Sequence, residues 1–189
     1  VFDYYDDKDL LMSQTDDNDN ELVYEYDEHD RMIFTRKDGL AMIENVYYGS
    51  DHVDKLEKTV YSVLGDNGGT TTDLYTYDVH GRVKTYDYNH LLGIDNTVNI
   101  YDAADRLTSS NLTHNGYQGL GVLNTFTYDN WDRSLVTTHE IAGLDRVEEI
   151  RNNLLYDQRD QLRVKSIGGG LQNFSYTYEP SRGWLQQIN

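Results

Sequence analysis

The sequence predicts an all-β protein in which tandem antiparallel β-hairpin repeats form an extended, curved sheet. Three observations over the 189 residues support this prediction. A short phrase beginning with Tyr-Asp recurs along the chain, alternating strand-type residues precede each copy, and a turn-forming residue closes it. A catalytic signature usually occurs once per active site, whereas a phrase that returns at a regular spacing indicates a structural repeat.

The repeated phrase has clear, variant and degenerate copies. Five copies are clear, a variant copy at Tyr178 carries Glu179 in place of the aspartate, and degenerate copies begin at Tyr5 and Tyr48. We therefore expect one array over residues 1–189, with eight hairpin repeats starting near 5, 26, 48, 77, 101, 128, 156 and 178. The chain begins at Val1 without an initiator methionine or a signal peptide, so we expect it to be a piece of a longer protein.

Strand prediction rests on a period of two residues. Aromatic residues stand two apart before the turn, as in Tyr24 with Tyr26 and Tyr75 with Tyr77, which places each pair on one face of a strand. Thr, Val, Tyr and Ile dominate the stretches after the turns, and these residues favour strands. Residues 142–157 are the one ambiguous segment, because Glu148 and Glu149 could support a short helix.

The turn is predicted from the stretch Asp78 to Arg82. Aspartate at the first turn position and Gly81 three residues later fit a type I turn closed by a residue in the left-handed conformation. Glycine takes positive φ without cost, and aspartate tolerates it better than most residues. The equivalent positions in the other clear copies hold aspartates, namely Asp30, Asp105, Asp132 and Asp160.

A cation follows the left-handed position in most copies, and Lys55 and Gln161 occupy it in two others. We expect this cation to lie over a tyrosine ring of the neighbouring strand, a contact worth about 0.5–1 kcal/mol at exposed sites. The residues assigned to the structural repeat motif are Tyr26, Asp27, Arg31, Tyr77, Asp78, Gly81, Arg82, Tyr101, Asp102, Arg106, Tyr128, Asp129, Arg133, Tyr156, Asp157, Tyr178, Gly183 and Trp184.

Composition excludes several classes of function. The net charge is -17, which argues against nucleic acid and against anionic membranes as partners. Turn-building aspartates and solubility explain this acidity, with a specific cationic partner as the alternative. The chain has no cysteine, so disulfides and thiolate metal sites are excluded. No apolar run is long enough to insert into a membrane.

No residues are predicted to be catalytic or to bind a metal or cofactor, so we expect no enzymatic activity. The carboxylate pairs Asp6–Asp7, Asp16–Asp17 and Glu148–Glu149 are expected by chance in so acidic a chain. The loop 15–21 resembles a calcium-binding loop in its alternating Asp and Asn, although Glu21 stands where such a loop needs glycine. The histidines show no ligand spacing, and the glycine-rich stretches 65–72 and 167–171 lack the lysine of a P-loop.

Rows of tyrosine leave two interpretations open. The 17 tyrosines outnumber the 4 Phe and 2 Trp, and tyrosine suits a half-buried sheet because its ring packs while its hydroxyl reaches water. The rings pack on their neighbours in one interpretation and stack on a glycan in the other. The two N-x-S/T sequons, 111–113 and 173–175, would matter only in a host that glycosylates them.

The repeated phrases, such as "YDVHGRV" from Tyr77 and "YDAADRL" from Tyr101, resemble the tyrosine–aspartate (YD) repeat, also called the RHS repeat. The closing stretch 178–189 is similar to a phrase of RHS-type proteins of Bacteroidetes, and the resemblance covers essentially the whole chain. It implies hairpins that join into a long sheet and spiral into a hollow shell, as in bacterial toxins and teneurins. The aspartyl self-cleaving site found in some members has no good match in "EPSRGW".

The resemblance therefore implies a secreted or cell-surface scaffold, part of the wall of a shell that encloses a toxin or another C-terminal segment. The alternative is a cell-surface adhesion module for carbohydrate or protein. The expected partners are the neighbouring repeats of the parent protein, an enclosed toxin segment, a glycan, and further copies of the chain that associate edge to edge through residues 1–20 and 171–189.

Overall fold

A computed structural model describes residues 1–49, 54–62, 68–115, 120–142 and 147–189. These residues form strands and turns and contain no helix, which confirms the predicted all-β class. The strands are β1 Phe2–Tyr4, β2 Leu11–Thr15, β3 Glu21–Tyr26, β4 Met32–Lys37, β5 Leu40–Tyr47, β6 Leu56–Ser62, β7 Thr70–Tyr77, β8 Val83–His90, β9 Gly93–Tyr101, β10 Leu107–His114, β11 Leu120–Tyr128, β12 Ser134–Ile141, β13 Val147–Tyr156, β14 Leu162–Ile167, β15 Gln172–Tyr178 and β16 Leu185–Ile188.

The chain divides into an N-terminal part, Val1–Asn96, and a C-terminal part, Thr97–Asn189. In the N-terminal part, strands β1 to β8 pair antiparallel, each with the next along the chain. Strands β10 to β16 of the C-terminal part pair in the same way. Each part is therefore a series of consecutive hairpins, as the repeated phrase predicts.

The register of the repeat hairpins is constant. In each hairpin the repeat tyrosine ends one strand and pairs with the first residue of the next strand, as Tyr26 does with Met32 and Tyr77 with Val83. The register shifts by one residue directly before this pair, which marks a β-bulge beside the turn. The turn geometry, and not strand length, thus fixes how each hairpin aligns.

The two degenerate copies lie one residue earlier than the sequence alignment places them. Tyr4 pairs with Leu11 and Tyr47 with Leu56, so these residues, and not Tyr5 and Tyr48, stand at the position of the repeat tyrosine. The backbone amide of Tyr48 donates to Lys55 (2.9 Å), as the turn aspartate does elsewhere. The sequence alignment missed this register because a tyrosine replaces the aspartate in both copies.

The helix considered for residues 142–157 is wrong for the part that the structure describes. Strand β13 covers Val147–Tyr156 and pairs with β12 on one side and β14 on the other. A helix there would leave the backbone donors and acceptors of two strands without their ladder partners. Residues 143–146 lie outside the described residues, as do residues 50–53 of the third repeat's turn and residues 65–67 of the first glycine-rich stretch.

Few side chains are fully buried. Leu154, at 4% exposure, is the only buried apolar residue among those described. The buried polar residues are Ser13, Thr35, Thr59, Asp73, Thr137 and Ser166. All but Asp73 are small hydroxyl residues, so the sheet is held by its backbone ladder and by cross-strand contacts more than by a deep apolar core.

No helix that could cross a membrane occurs in the described part of the chain.

Gly81 offers a direct test of the turn. Its φ is +76°, and an added Cβ would meet only the flexible end of Lys55, 3.3 Å away, so backbone strain and not crowding decides the effect of a substitution. We expect Gly81→Val to lower the free energy of unfolding by roughly 1–3 kcal/mol. Gly81→Asp, which copies the natural residue of four other repeats, should cost much less. Chemical denaturation of both variants checks this, and equal stability of Gly81→Val and the native chain would contradict the turn assignment.

Candidate functional site

The candidate functional site is the set of Tyr-Asp turns that join the strands of the repeat hairpins. Each of the clear copies has a turn that is closed by its own aspartate. In the second repeat, Oδ1 of Asp27 accepts the backbone amides of His29 (2.9 Å) and Arg31 (3.0 Å), and Oδ2 accepts Nε of Arg31 (2.7 Å). The same set of bonds recurs at Asp78, Asp102 and Asp129. One carboxylate thus fixes both the backbone of the turn and the arginine that follows.

The five turn residues that the sequence predicts to be left-handed are left-handed. The φ angles are 64° at Asp30, 76° at Gly81, 64° at Asp105, 63° at Asp132 and 60° at Asp160. In each turn, this residue donates its amide to the carbonyl of the first aspartate, for example Gly81 to Asp78 at 2.9 Å. The predicted bulged hairpin turn is therefore confirmed.

The acidic loop 15–21 uses the same turn, at the connection between β2 and β3. Oδ1 of Asp16 accepts the amides of Asn18 (2.8 Å) and Asn20 (3.0 Å), and Asp19 has a φ of 59°. The hydrogen bond from the backbone of Asn20 lowers the pKa of Asp16. Asp16 therefore closes a turn as Asp27 does, and this explains the alternating Asp and Asn without a calcium ion.

Repeat tyrosines join each hairpin to the one before it. The hydroxyl of Tyr77 donates to the carbonyl of Leu56 (2.8 Å), and that of Tyr128 donates to Leu107 (2.8 Å). Equivalent bonds run from Tyr26 to Leu11, Tyr47 to Met32, Tyr156 to Ser134, and Tyr178 to Leu162. The acceptor is always the first residue of the second strand in the preceding repeat. The ring lies against the sheet while its hydroxyl links two repeats.

Cations of one repeat lie over the tyrosine ring of the next. The guanidinium of Arg31 is 4.4 Å from the ring centre of Tyr47, and that of Arg106 is 5.0 Å from Tyr128. Arg133 lies 4.8 Å from Tyr156, and the ammonium of Lys55 lies 5.5 Å from Tyr77. The predicted cation–π contact is confirmed for these four pairs.

Two arginines also bind the following turn directly. Nη1 of Arg106 donates to the carbonyl of Asp129 (3.0 Å) and to the carboxylate of Asp132 (2.8 Å). Arg133 repeats this arrangement with Asp157 (3.3 Å) and Asp160 (2.9 Å). We call this arrangement the turn link: an arginine that is held by its own aspartate and donates to the next turn. Sequence reasoning missed it because donor and acceptor stand more than twenty residues apart.

In the last two repeats a neutral residue stands at the arginine position, and Nη1 of Arg159 donates to the carbonyl of Pro180 in the last turn (2.5 Å). Gln161 stands at the arginine position, and its amide donates to the carbonyl of Gly183 (2.9 Å). Gly183, with a φ of 72°, is left-handed, and its turn is one residue longer because its amide donates to Glu179, four residues back. Trp184 takes the arginine position, and Arg182 lies 4.9 Å from its ring.

Tyrosines compensate for the missing aspartate in the degenerate copies. The ring of Tyr5 meets that of Tyr26 edge-on at 6.1 Å, and Tyr48 meets Tyr77 in the same way at 5.9 Å. The hydroxyl of Tyr48 donates to the carbonyl of Tyr75 (2.8 Å). An aromatic contact with the next repeat thus stands where other copies use the aspartate–arginine pair.

The other candidate residues lie in strands and turns. His29 and His80 lie at exposed turn positions and His139 in β12, while His52 falls outside the described residues. Glu148 and Glu149 lie in β13, and Asp6 and Asp7 lie in an exposed turn. Gly168 to Gly170 form the turn between β14 and β15, all with positive φ. The sequons lie in β10 and β15, and Asn173 bonds Ser166 within the sheet (2.6 Å).

Asp73 is the buried residue that the sequence reasoning missed. It lies in β7 on the same face as the repeat tyrosine Tyr77 and is only 7% exposed. The sequence signal was an acidic residue at an inward position of a strand, a place where charge is rarely buried without partners.

No family model matches the chain, and no curated protein matches it. Among solved structures, the chain is similar to the crystal structures of TcdB2-TccC3-Cdc42 (TM-score 0.53, 13% identity), TcdB2-TccC3 without the hypervariable C-terminal region (0.54, 13%) and TcdB2-TccC3-TEV (0.56, 14%). Each match covers 95% of this chain and 10% of the matched chain.

The similarity defines the class of fold. The matched structures are toxin complexes whose shell is built of RHS/YD repeats, so the YD-repeat resemblance of the sequence is confirmed at the level of the fold. The chain spans about a tenth of the length of these structures.

The turn aspartates predict an acid-sensitive stability. The hydrogen bond from the Arg31 side chain lowers the pKa of Asp27 from 3.8 to about 2, and Arg82 does the same to Asp78. Because these pKa values are lower in the folded state, their stabilisation is complete above pH 4 and is lost as the pH falls towards 2. Thermal melts across this range should show a steep fall in melting temperature. Asp78→Asn should flatten the fall and Asp6→Asn should leave it unchanged; equal profiles for all three proteins would contradict the assignment.

Arg133 tests the turn link. Its side chain is 19% exposed and pairs with Asp129, which is 14% exposed. We expect Arg133→Ala to lower the melting temperature by several degrees, because it leaves two carboxylates without their partner and removes the contact with Tyr156. Arg133→Lys should recover only part of the loss, since lysine lacks the planar fork. The matched control is Arg163→Ala, a side chain 44% exposed and 3.9 Å from Asp157, which should change little. Equal effects of the two alanine variants would refute the link.

Proposed function

We propose that this chain is a segment of the wall of an RHS/YD-repeat shell that encloses a toxin or another C-terminal segment. The observation that carries the proposal is the regular connection between repeats. Each repeat presents a tyrosine to the hairpin before it and, in most copies, a cation to the hairpin after it. Such a unit can be added at either end without changing its contacts, as a long wall requires.

The fold of the solved neighbours supports a scaffold role. These neighbours are shell proteins, and their resemblance to this chain extends over nearly all of its residues. The neighbouring repeats of the parent protein are the proposed partners, and secretion or display at the cell surface is the proposed location. The enclosed segment is inferred from the role of the neighbours, because this chain spans only a small share of their length.

We further propose that the segment has no catalytic role. The aspartates that close the repeat turns already have partners. Each accepts hydrogen bonds from backbone amides of its own turn and, where an arginine follows, from that arginine, as Asp27 does. A general acid or base needs a proton that it can exchange near neutral pH, whereas the pKa values of Asp27 and Asp78 lie near 2.

A surface adhesion module is the second candidate. Trp131 is 73% exposed and lines a cleft of about 560 Å³ together with Tyr156 and Gln158. Trp184, at the last turn, is 65% exposed. An exposed indole beside carboxylate and amide groups is suited to stack on a sugar ring and bond its hydroxyls. Saturable binding to a glycan array, lost in Trp131→Ala, would favour this candidate over the shell.

Edge-to-edge association between copies of the chain also distinguishes a shell wall from an adhesion module. Strands β1 and β16 are exposed along their whole length. Light scattering across a salt series separates the cases, because salt screens the charge of -17. Association that rises with salt fits open wall segments, whereas a monomer at all salt concentrations fits a self-contained adhesion module.

Protection of the enclosed segment tests the shell directly. In the full-length parent protein, we expect the C-terminal segment to resist a protease that cuts it when it is expressed alone. The double variant Arg106→Ala and Arg133→Ala should speed its cleavage by weakening the wall, and Arg163→Ala should not. Cleavage of the native parent at the rate of the free segment would overturn the enclosure. Electron microscopy that shows no hollow particle would overturn the shell itself.

A further inference from the structure

Asp73 is a carboxylate buried in the middle of the tyrosine-rich face of the N-terminal part. It is 7% exposed and pairs across the sheet with Thr59 of β6 and Tyr88 of β8. The same position, four residues before the repeat tyrosine, holds Leu22, Ile43, Asn124 and Phe174 in other repeats. The acidic residue is therefore not a requirement of the repeat, and its burial needs another reason.

Three tyrosines, one on each of β6, β7 and β8, stand on the same face of the sheet as this carboxylate. The hydroxyl of Tyr86 donates to Oδ1 of Asp73 at 2.9 Å. Burial, followed by the charge of Asp73, raises the pKa of Tyr61. The rings of Tyr75 and Tyr86 lie 5.2 Å apart. Burial, followed by the charge of Asp73, raises the pKa of Tyr75 to about 12, so the phenols remain protonated donors at neutral pH. We call these four residues the tyrosine cluster.

In the part of the chain that the structure describes, the carboxylate of the tyrosine cluster has no cation paired with it. A buried carboxylate is costly unless it is hydrogen-bonded and paired with a cation. Within the described residues, Asp73 accepts a hydrogen bond from the Tyr86 phenol but forms no ion pair with a lysine or arginine. Phenols that donate to a carboxylate carry extra negative charge on their rings, and such rings attract cations more strongly.

The chain itself shows what completes this arrangement. Beside the turn aspartates, a guanidinium lies over a tyrosine ring while it pairs with the carboxylate. Arg31 does so with Tyr47 (4.4 Å) and Asp27 (2.5 Å), and Arg106 does so with Tyr128 (5.0 Å) and Asp102 (2.7 Å). The tyrosine cluster contains the carboxylate and the rings of this triad without the guanidinium.

We propose that the tyrosine cluster of Asp73, Tyr61, Tyr75 and Tyr86 binds the guanidinium of an arginine side chain from a polypeptide that lies on this face of the sheet. Tyr61, at 38% exposure, offers its ring to solvent at the margin of the cluster. A planar guanidinium can stack on the tyrosine rings, and the chain's charge of -17 attracts a basic segment. The inference concerns this face alone and stands whether or not the chain belongs to a shell.

A pair of blocked tripeptides tests the proposal. The 189-residue chain, with carbon-13 label in its tyrosine rings, is titrated with acetyl-Gly-Arg-Gly-amide and with the citrulline counterpart, which has the same shape without the charge. We expect saturable shifts of the rings of Tyr61, Tyr75 and Tyr86 with the arginine peptide only. Tyr61→Phe identifies the Tyr61 signal, because it removes one labelled ring and leaves an aromatic side chain in place.

Two variants make the test decisive. Asp73→Asn should lower the affinity for the arginine peptide about tenfold. Glu57→Gln, which also replaces a carboxylate by an amide but at an exposed position of β6, should leave the affinity unchanged. Tyr61→Leu keeps the carboxylate and should also weaken binding, which covers the case in which Asp73→Asn fails to fold, as judged by circular dichroism. Equal binding of the citrulline peptide, no saturable shift, or unchanged affinity in a folded Asp73→Asn or in Tyr61→Leu would overturn the proposal.

Discussion

The structure depends on a carboxylate that recurs in the turns of the clear repeats. The aspartate after the repeat tyrosine accepts two backbone amides of its own turn and holds the arginine that follows, as Asp27 does with Arg31. This geometry needs a left-handed residue at the fourth turn position and places a β-bulge beside the turn. The bulge in turn sets the register of the hairpin. Strand pairing, side-chain facing and the position of each tyrosine all follow from the turn.

Three of the left-handed aspartates also bind a cation of the preceding repeat. Asp132 and Asp160 bind the arginine of the preceding repeat, and Asp30 binds Lys8. Gly183 follows a repeat with the neutral Gln161, which bonds its carbonyl instead. At positive φ, aspartate has a higher conformational free energy than glycine, but its carboxylate can form an ion pair with a cation. In the turns of these three aspartates a cation of the preceding repeat offsets part of the conformational cost, whereas Gly81 follows Lys55 and shows that a preceding cation does not require an aspartate.

A sheet with few buried side chains relies on contacts that run along its surface. Hydroxyls of the repeat tyrosines bond carbonyls of the preceding hairpin, and cations cover the rings. Tyrosine serves here because phenylalanine would supply the ring without the bond between repeats. Asp73 departs from this pattern because it is a buried carboxylate that accepts the hydroxyl of Tyr86, which marks one face of the N-terminal part as chemically distinct.

The sequence by itself determined the all-β class and the turn chemistry, because both depend on residues close together in a repeated phrase. It also indicated the cation over the tyrosine ring, because copies of the phrase at a regular spacing place one copy beside the next. Only the tertiary structure decided the register of the copies at Tyr4 and Tyr47, where substitution of the aspartate hides the phrase. It also decided the bonds from Arg133 to Asp160 and from Tyr86 to Asp73. These contacts join side chains of different strands or hairpins, and their distances depend on where packing places both partners, which the repeated phrase alone does not contain.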